Sequence, residues 1–324
     1  MTRAIRIHET GAPSVMKWEE VEVGKPGKGE VRLRHTAIGV NFIDAYYRAG
    51  LYPRPMPMIL GNEGAGVVTA LGRGVTGLKV GDRVAYASDP LGAYAEERVY
   101  PADRLIKLPK QISDETAAAM MLKGMTARYL LRETYRVQKG DTILLHAAAG
   151  GLGLILCQWA KHLGATVIGT VGTRQKADLA RAHGCDHPII YTKENFVERV
   201  KRITRGGGVP VVYDSIGKDT FPGSLDCLRQ RGMWVSFGNA SGPVPPFPPT
   251  LLAQKGSLFM TRPTLFHYIA ERDRLVANAR ELFSVVKSGA VKIEVNQRYP
   301  LKDAAKAHRD IESRKTTGST VLIP

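Results

Sequence analysis

Cysteine is scarce in this chain: Cys157, Cys185 and Cys227 are the only three among 324 residues, and they stand far apart. With no CxxC and no Cys/His cluster, neither a disulfide framework nor a structural zinc lobe is indicated. No apolar run reaches the roughly 18 residues of a membrane-spanning helix, and "MTRAIRIHETG" lacks the continuous apolar stretch of a signal peptide. A soluble, cytoplasmic protein is the expectation.

Aromatic residues are also few, at 7%. No RNP- or KH-type pattern sets them among basic residues, which argues against a dedicated nucleic-acid module. The net charge of +16 comes from 46 Lys and Arg against 30 Asp and Glu. Such a surplus favours acidic or phosphorylated partners. It is spread along the chain and interleaved with acids, as in "KENFVERVKRITR", the pattern of a solvated basic surface.

One absence is local. Between Asp141 and Asp178 there is no Asp or Glu at all. Its meaning depends on what surrounds it.

The first third of the chain is β-rich. "AIRIH" alternates Ile5 and Ile7 with Arg6 and His8, and "EVRLRH" repeats the pattern with Val31 and Leu33. Loops are marked by "GKPGKGE" and "YPRPMPM". From about residue 140 strands and helices alternate: strand "TILLH", a helix after "AAAGGLG", strand "ATVIGTV", helix "QKADLARAHG", strand "PIIY", helix "FVERVKRIT", strand "PVVYDSIG", helix "TFPGSLDCLRQRG" and strand "MWVSFG". This rhythm predicts an α/β fold with a doubly wound parallel sheet. In its first helix Leu152, Ile155, Leu156, Trp159, Ala160 and Leu163 form one apolar stripe, with Gly164 just past the last turn. After "GSLFMTRP" the alternation stops. A helix with Leu275, Val276, Ala279, Leu282, Phe283 and Val286 on one face ends at Gly289, and strand, helix ("LKDAAKAHRDIESRK") and strand ("STVLIP") follow. Such a tail can return to complete the first domain.

In "HAAAGGLGLILCQWAKHLGA", Ala147, Gly150 and Gly153 form an A-x-x-G-x-x-G variant of the dinucleotide fingerprint, placed after a strand and opening a helix. Small residues let backbone approach a pyrophosphate, and Gly150, Gly151 and Leu152 supply the N–H groups of the helix start. The alternative is close helix–strand packing with no ligand. A ribose-reading acid belongs about 20 residues beyond the glycines. In the acid-free stretch stand Gly172, Thr173, Arg174 and Lys176 instead, with Tyr191 at the end of the third strand. A carboxylate would repel a 2′-phosphate, whereas cations pair with it through charge-assisted hydrogen bonds. Cations at a helix N-terminus oppose the dipole, so a compensating anion is attractive there. The site is expected to prefer NADPH. The alternative makes Arg174 and Lys176 ordinary solvated first-turn residues.

Taken in order, "GVNFIDAYYRAGLYPRP", "LGNEGAGVV", "VGDRVAY", "MLKGMTARYLL", "HAAAGGLGLILCQWAK", "VVYDSIG", "VSFGNASGPV" and "TTGSTVLIP" resemble the NADPH-dependent quinone oxidoreductases. These are the zeta-crystallin-like, zinc-free branch of the medium-chain dehydrogenase/reductase superfamily, and the resemblance runs nearly end to end. It implies a Rossmann domain inserted in a chaperonin-10-like β-rich catalytic domain. The expected boundaries are 1–125 for the first part of the catalytic domain, 126–264 for the NADPH-binding domain and 265–324 for the return segment. A homodimer is implied.

Where zinc-dependent relatives carry metal ligands, the resemblance places Asn41, Asn62 and Lys123. Amides are poor zinc ligands and an ammonium is none, so no metal is expected. A quinone is already electrophilic and accepts hydride or electrons from NADPH without a Lewis acid. By resemblance, Asn41, Tyr46 and Tyr52 border the acceptor and Lys123 favours the negative charge developing on it. The alternatives are wall residues for the tyrosines, a loop cap for Asn41 and a solvated Lys123. Asn41, Thr126, Tyr191, Ser215, Phe237, Gly238, Asn239 and Arg262 join the cofactor set by the same resemblance. An NADPH-dependent reductase of enones or 2-enoyl thioesters is the competing enzyme reading. Single-stranded RNA, linked to some zeta-crystallin relatives, is a competing secondary ligand.

Overall fold

Strand β1 (Thr2–Ile7) buries Ile5 and Ile7 and exposes Arg3, as its alternation requires. β2 (Lys17–Val21) pairs with it antiparallel. The long β3 (Glu30–Val40) buries Val31, Leu33 and Ile38 and runs straight into helix α1 (Phe42–Ala49). Gly50 ends α1 in the left-handed conformation at φ 84°. Next come β4 (Met58–Ile59), β5 (Glu63–Leu71), β6 (Arg83–Ala87), β7 (Glu97–Pro101) and β8 (Ile106–Lys107), then helix α2 (Asp114–Tyr129).

The alternating region opens with β9 (Thr142–Leu145), α3 (Gly151–His162), β10 (Thr166–Val171) and α4 (Arg174–Ala182). It continues with β11 (His187–Ile190), α5 (Phe196–Ile203), β12 (Val209–Asp214), α6 (Gly223–Asp226) and β13 (Leu228–Ser236). Short elements α7 (Thr250–Gln254), β14 (Phe259–Thr261) and α8 (Leu265–Tyr268) lead to α9 (Arg272–Lys287). The last elements are β15 (Val295–Pro300), α10 (Ala304–Glu312) and β16 (Ser319–Ile323).

The computed structural model describes all 324 residues. They divide into two compact units, one of Met1–Met125, Ile269–Phe283 and Ile293–Pro324, the other of Thr126–Tyr268 and Ser284–Lys292. The first holds a sheet of order β2-β1-β4 and a seven-stranded sheet of order β15-β16-β3-β5-β6-β8, with β7 on β3. Its core gathers Leu33, Ile38, Tyr86, Tyr94, Tyr100 and Leu322. The second holds a six-stranded parallel sheet of order β11-β10-β9-β12-β13-β14. The chain winds outward from β9 to β11, then restarts at β12 on the other side of β9. The strand order therefore reverses between β9 and β12, which in open α/β sheets marks the ligand crevice at the carboxyl ends of the strands. Trp159 and Trp234, at 1% and 0% exposure, anchor this unit. Each large apolar side chain so buried contributes about 2 kcal/mol.

Three expectations need correction. Residues 220–232 are not one helix: only Gly223–Asp226 is helical, and Leu228 already belongs to β13. Its pairing with β12, from Val209↔Leu228 to Asp214↔Ser236 across a bulge, outweighs local helix preference. In α3, Leu152 and Leu163 are only partly buried, whereas Leu154 and Cys157 are fully inside. A helix apolar on several sides is enclosed on several sides. In α9, Leu275, Ala279, Leu282 and Phe283 are buried as expected, but so is the amide of Asn278, and Val285 replaces Val286 on the inner face. No helix is long and apolar enough to cross a membrane.

Candidate active site

In the first unit the chemistry gathers where β3 hands over to α1. Asn41 is the N-cap of α1, with extended φ −134° and ψ 154°. Its backbone N–H donates to Asp44 Oδ2 at 2.9 Å, and the Asp44 N–H donates back to the Asn41 carbonyl at 3.0 Å. The Asn41 side chain turns to β5, where Nδ2 donates to Glu63 Oε2 at 2.8 Å. Lys123 of α2 donates its ammonium to the same oxygen at 3.4 Å and to the Val40 carbonyl at 3.2 Å. Glu63 Oε1 accepts the Leu122 N–H at 2.7 Å. The carboxylate has room because residue 39 is glycine: a Cβ there would lie 2.2 Å from both Glu63 Oε2 and the Ala118 carbonyl.

Lys123 is thus no solvated surface lysine; it is 9% exposed and paired. Glu63 is fully buried, and burial raises its carboxyl above the usual range against the pull of Lys123, Asn41 and Leu122. Asp44 is buried as well, and desolvation pushes it to about 7 despite hydrogen bonds from Asn41 and Tyr94. Sequence reasoning passed over both acids. Glu63 directly follows Asn62 in "GNE", and Asp44 stands three residues after an Asn cap, a spacing that ties a side chain back to the cap. Tyr46 and Tyr52 are brought together: their rings meet edge-on at 5.4 Å, and the Tyr52 N–H donates to the Tyr46 carbonyl. Tyr47, not singled out beforehand, packs on Tyr52 at 5.9 Å.

In the second unit Ala147 adopts φ 57°, and the Gly150 N–H donates to its carbonyl at 3.0 Å. A Cβ on Gly153 would lie 2.2 Å from that carbonyl, so the last glycine of the fingerprint serves close helix packing. Gly150 caps α3, and the first bond within the helix runs from Leu154 N–H to the Gly150 carbonyl. The N–H groups of Gly151 and Leu152 therefore belong to the positive end of the helix. At the end of β10, Thr173 caps α4 by accepting the Lys176 N–H at 3.2 Å. Arg174 opens the helix and extends into solvent with its side chain 76% exposed, paired to Asp178 one turn on. Asp178 offsets the unfavourable dipole locally, so the cation at the helix start does not by itself require an external anion. Gly172 and Tyr191 are neighbours: a Cβ on Gly172 would lie 3.1 Å from the tyrosine hydroxyl.

The loops after β12 and β13 interlock. The Ala240 N–H donates to the Ser215 carbonyl, the Phe237 N–H to the Asp214 carbonyl, and a Cβ on Gly238 would lie 2.4 Å from the Ser215 carbonyl. Beneath them, Asp214 accepts from the N–H groups of Ile216 and Gly217, the hydroxyls of Thr220 and Ser224, and Trp234 Nε1. Burial opposes its charge, but His146 and these hydrogen bonds prevail and hold its carboxyl below the usual range. Arg262 donates to the Ser236 carbonyl at 2.8 Å, and Thr126 is buried on α2. Asn239 lies in the same loop, beside Gly238.

Residues 27–110 match the family described as "Alcohol dehydrogenase GroES-like domain", and residues 151–277 match "Zinc-binding dehydrogenase". Over 325 residues, covering 100% of both chains, the sequence is 54% identical to the quinone oxidoreductase of Pseudomonas aeruginosa. The chain belongs to the quinone oxidoreductase family, within the medium-chain dehydrogenase/reductase superfamily. The family's fold is the one described above, a GroES-like unit and a Rossmann unit. A 2-haloacrylate reductase from Burkholderia is 52% identical over 100% of this chain and 99% of its own length. The solved quinone oxidoreductase of Escherichia coli, complexed with NADPH, superimposes with a TM-score of 0.98 at 51% identity, covering 99% of this chain and 100% of that one.

Zinc, named in one of the two family descriptions, does not fit this member. Asn41 spends its Nδ2 on Glu63, Lys123 is a cation, and Asn62 offers only an amide buried at 0% exposure. No group of three or more His, Cys, Asp or Glu stands ready to hold a metal ion.

Proposed function

We propose that the protein is a zinc-independent NADPH:quinone oxidoreductase. The observation that carries this reading is the Asn41–Glu63–Lys123 cluster, an amide and a cation held by one carboxylate where zinc-dependent relatives place metal ligands. When bound, NADPH would supply the hydride that, with one proton from water, turns a quinone into the hydroquinone.

The residues of this chain supply binding and orientation. Gly150, Gly151 and Leu152 receive the pyrophosphate at the start of α3, as helix N-termini receive anions. Thr173, Arg174 and Lys176 take the 2′-phosphate beside Gly172 and Tyr191, Arg174 exchanging its exposed pair with Asp178 for the phosphate. Thr126, Ser215, Phe237, Gly238, Asn239 and Arg262 complete the cofactor set, with Asn41 serving both cofactor and acceptor. The rings of Tyr46 and Tyr52 suit a flat apolar acceptor, and Lys123 favours negative charge on its oxygen. The fit of the cofactor rests on the glycine turn, the cation pair and the NADPH complex of the E. coli relative.

A second reading has an activated alkene as acceptor, supported by the 2-haloacrylate reductase relative. Steady-state oxidation of NADPH and of NADH, with 1,4-benzoquinone and with an enone, each with and without a chelator, separates the cases. Quinone turnover with NADPH, indifferent to chelator, is the expected result. Turnover of the enone alone moves the protein to the alkene reductases, and chelator sensitivity overturns the zinc-free reading. A homodimer, implied by the family resemblance, is tested by light scattering. Only the +16 charge speaks for RNA, and RNA binding forms no part of this reading.

A further inference from the structure

Glu63 has so far been given no part in the reaction, yet the cluster is built around it. One of its oxygens serves two partners, Asn41 Nδ2 and Lys123 Nζ, while the other is pinned by the Leu122 N–H. A buried ion pair is a costly way to stabilise a fold, since apolar residues of equal volume do as well or better. Here the cost is compounded by Gly39, which surrenders its side chain to make room. The arrangement therefore calls for a reason other than stability.

The ammonium provides one. It has three N–H donors, and the protein occupies two, on the Val40 carbonyl and on Glu63. With two directions fixed by rigid neighbours, the direction of the third is fixed as well. Resting on the quinone-reductase reading above, we propose that Glu63 is a positioning residue acting through Lys123: it anchors the ammonium so that its remaining N–H donates to the acceptor's carbonyl oxygen, where charge develops as hydride arrives. A preorganised donor of this kind needs no reorientation during reaction, which is the source of oxyanion-type stabilisation. The same argument holds for an enone carbonyl.

A double-mutant cycle tests it. Glu63→Gln keeps the shape but offers one acceptor oxygen where three donors now converge. It is expected to lower kcat with 1,4-benzoquinone by about 100-fold, the scale of losing one preorganised donor, with the KM for NADPH within about twofold of the parent. Lys123→Met is expected to do the same. The double variant should lose far less than the product of the two single losses, because Glu63 reaches the acceptor oxygen through Lys123 and touches the site otherwise only through Asn41. Additive losses, or a Glu63→Gln loss confined to the KM for NADPH, would overturn the proposal. If Glu63→Gln does not fold, Glu63→Asp decides, since it keeps the charge but draws the carboxylate back from Lys123 by one methylene: parental kcat overturns the proposal, and a fall of about 100-fold at unchanged NADPH KM sustains it. Parental turnover, measured first, separates the two claims. No quinone or enone reduction by the parent sinks the functional reading, whereas robust parental turnover with an additive cycle sinks only the role of Glu63.

Discussion

Tyr94 donates its hydroxyl to Asp44 Oδ2 at 3.0 Å, joining the loop before β7 to α1. The same hydroxyl lies 3.0 Å from His308 Nε2 on α10, so the histidine tautomer that donates to it carries its proton on Nε2. All three groups are buried. Desolvation pushes Asp44 up to about 7 and His308 down to about 3, so one hydroxyl links two groups that both favour their neutral forms.

Their effects on stability have opposite sign. Asp44, raised above its unfolded value of 3.8, stabilises the fold below that value and loses this contribution as pH climbs through about 7. His308 and His35, lowered from 6.5 to about 3, remain neutral in the fold while the unfolded chain takes up protons, so stability falls as pH drops below 6.5. Each such proton is worth about 1.4 kcal/mol per pH unit. Between pH ~4.5 and ~6.5 the two histidines outweigh the single acid, leaving a net loss of about 1.4 kcal/mol per unit of acidification from these groups. Asp44→Asn removes the opposing contribution and should roughly double that slope. Urea midpoints at several pH values check this; an unchanged slope in the variant would show that Asp44 titrates normally.

Gly39→Ala places a methyl 2.2 Å from the Ala118 carbonyl and from the Glu63 carboxylate. Backbone cannot yield at that distance, so a destabilisation of about 1–3 kcal/mol is expected, together with a loss of turnover as Glu63 shifts. Thermal melts and kcat, measured on one preparation, report the two effects. A variant as stable and active as the parent would mean that β3 and α2 separate easily here.

Arg174→Ala and Lys176→Ala should each lower kcat/KM for NADPH by about tenfold or more, the worth of a charge-assisted hydrogen bond, and leave NADH unchanged. Losing Arg174 also breaks its pair with Asp178. That exposed pair is worth little, so melting temperature should scarcely move. Equal losses with both cofactors would remove the 2′-phosphate from the argument.

Asp214→Ala strips five donor groups of their acceptor, among them Trp234 Nε1 at 3.2 Å. A cost of about 3–5 kcal/mol is expected, as for breaking a buried charged network. Because the indole is one of the donors, Trp234 emission should change in the folded variant. A higher KM for NADPH should accompany it as the Ser215 loop loosens. An unaltered KM would separate the network from the cofactor site.

Much of this was legible in the residues themselves. The rhythm from residue 140 onward is local and periodic, and the glycine turn with its helix appears where the pattern places it. What escaped reading depends on pairing across long separations. Leu228 becomes strand because Val209 stands opposite it, and Glu63 becomes the centre of a buried cluster because Asn41 and Lys123 converge on it from 22 and 60 positions away. Lys123, in a helix segment whose surroundings no short window reveals, gave no sign of being buried. The interlocked Ser215 and Gly238 loops escaped for the same reason.

The place of β16 beside β3, with Thr320 opposite Val40, bears on the order in which the molecule can be built. During synthesis, residues 126–268 emerge as an almost complete parallel sheet with its helices, free to condense while translation continues. The first 125 residues emerge earlier yet must wait longer: β5 and β7 can pair with β3 early, but Ile38, Gly39 and Val40 lack their β16 neighbour until residues 319–323 leave the ribosome. The unit holding Asn41, Glu63 and Lys123 is therefore begun first and finished last. An unpaired strand edge is a template for the wrong neighbour, and here that exposure lasts while residues 41–318 are made.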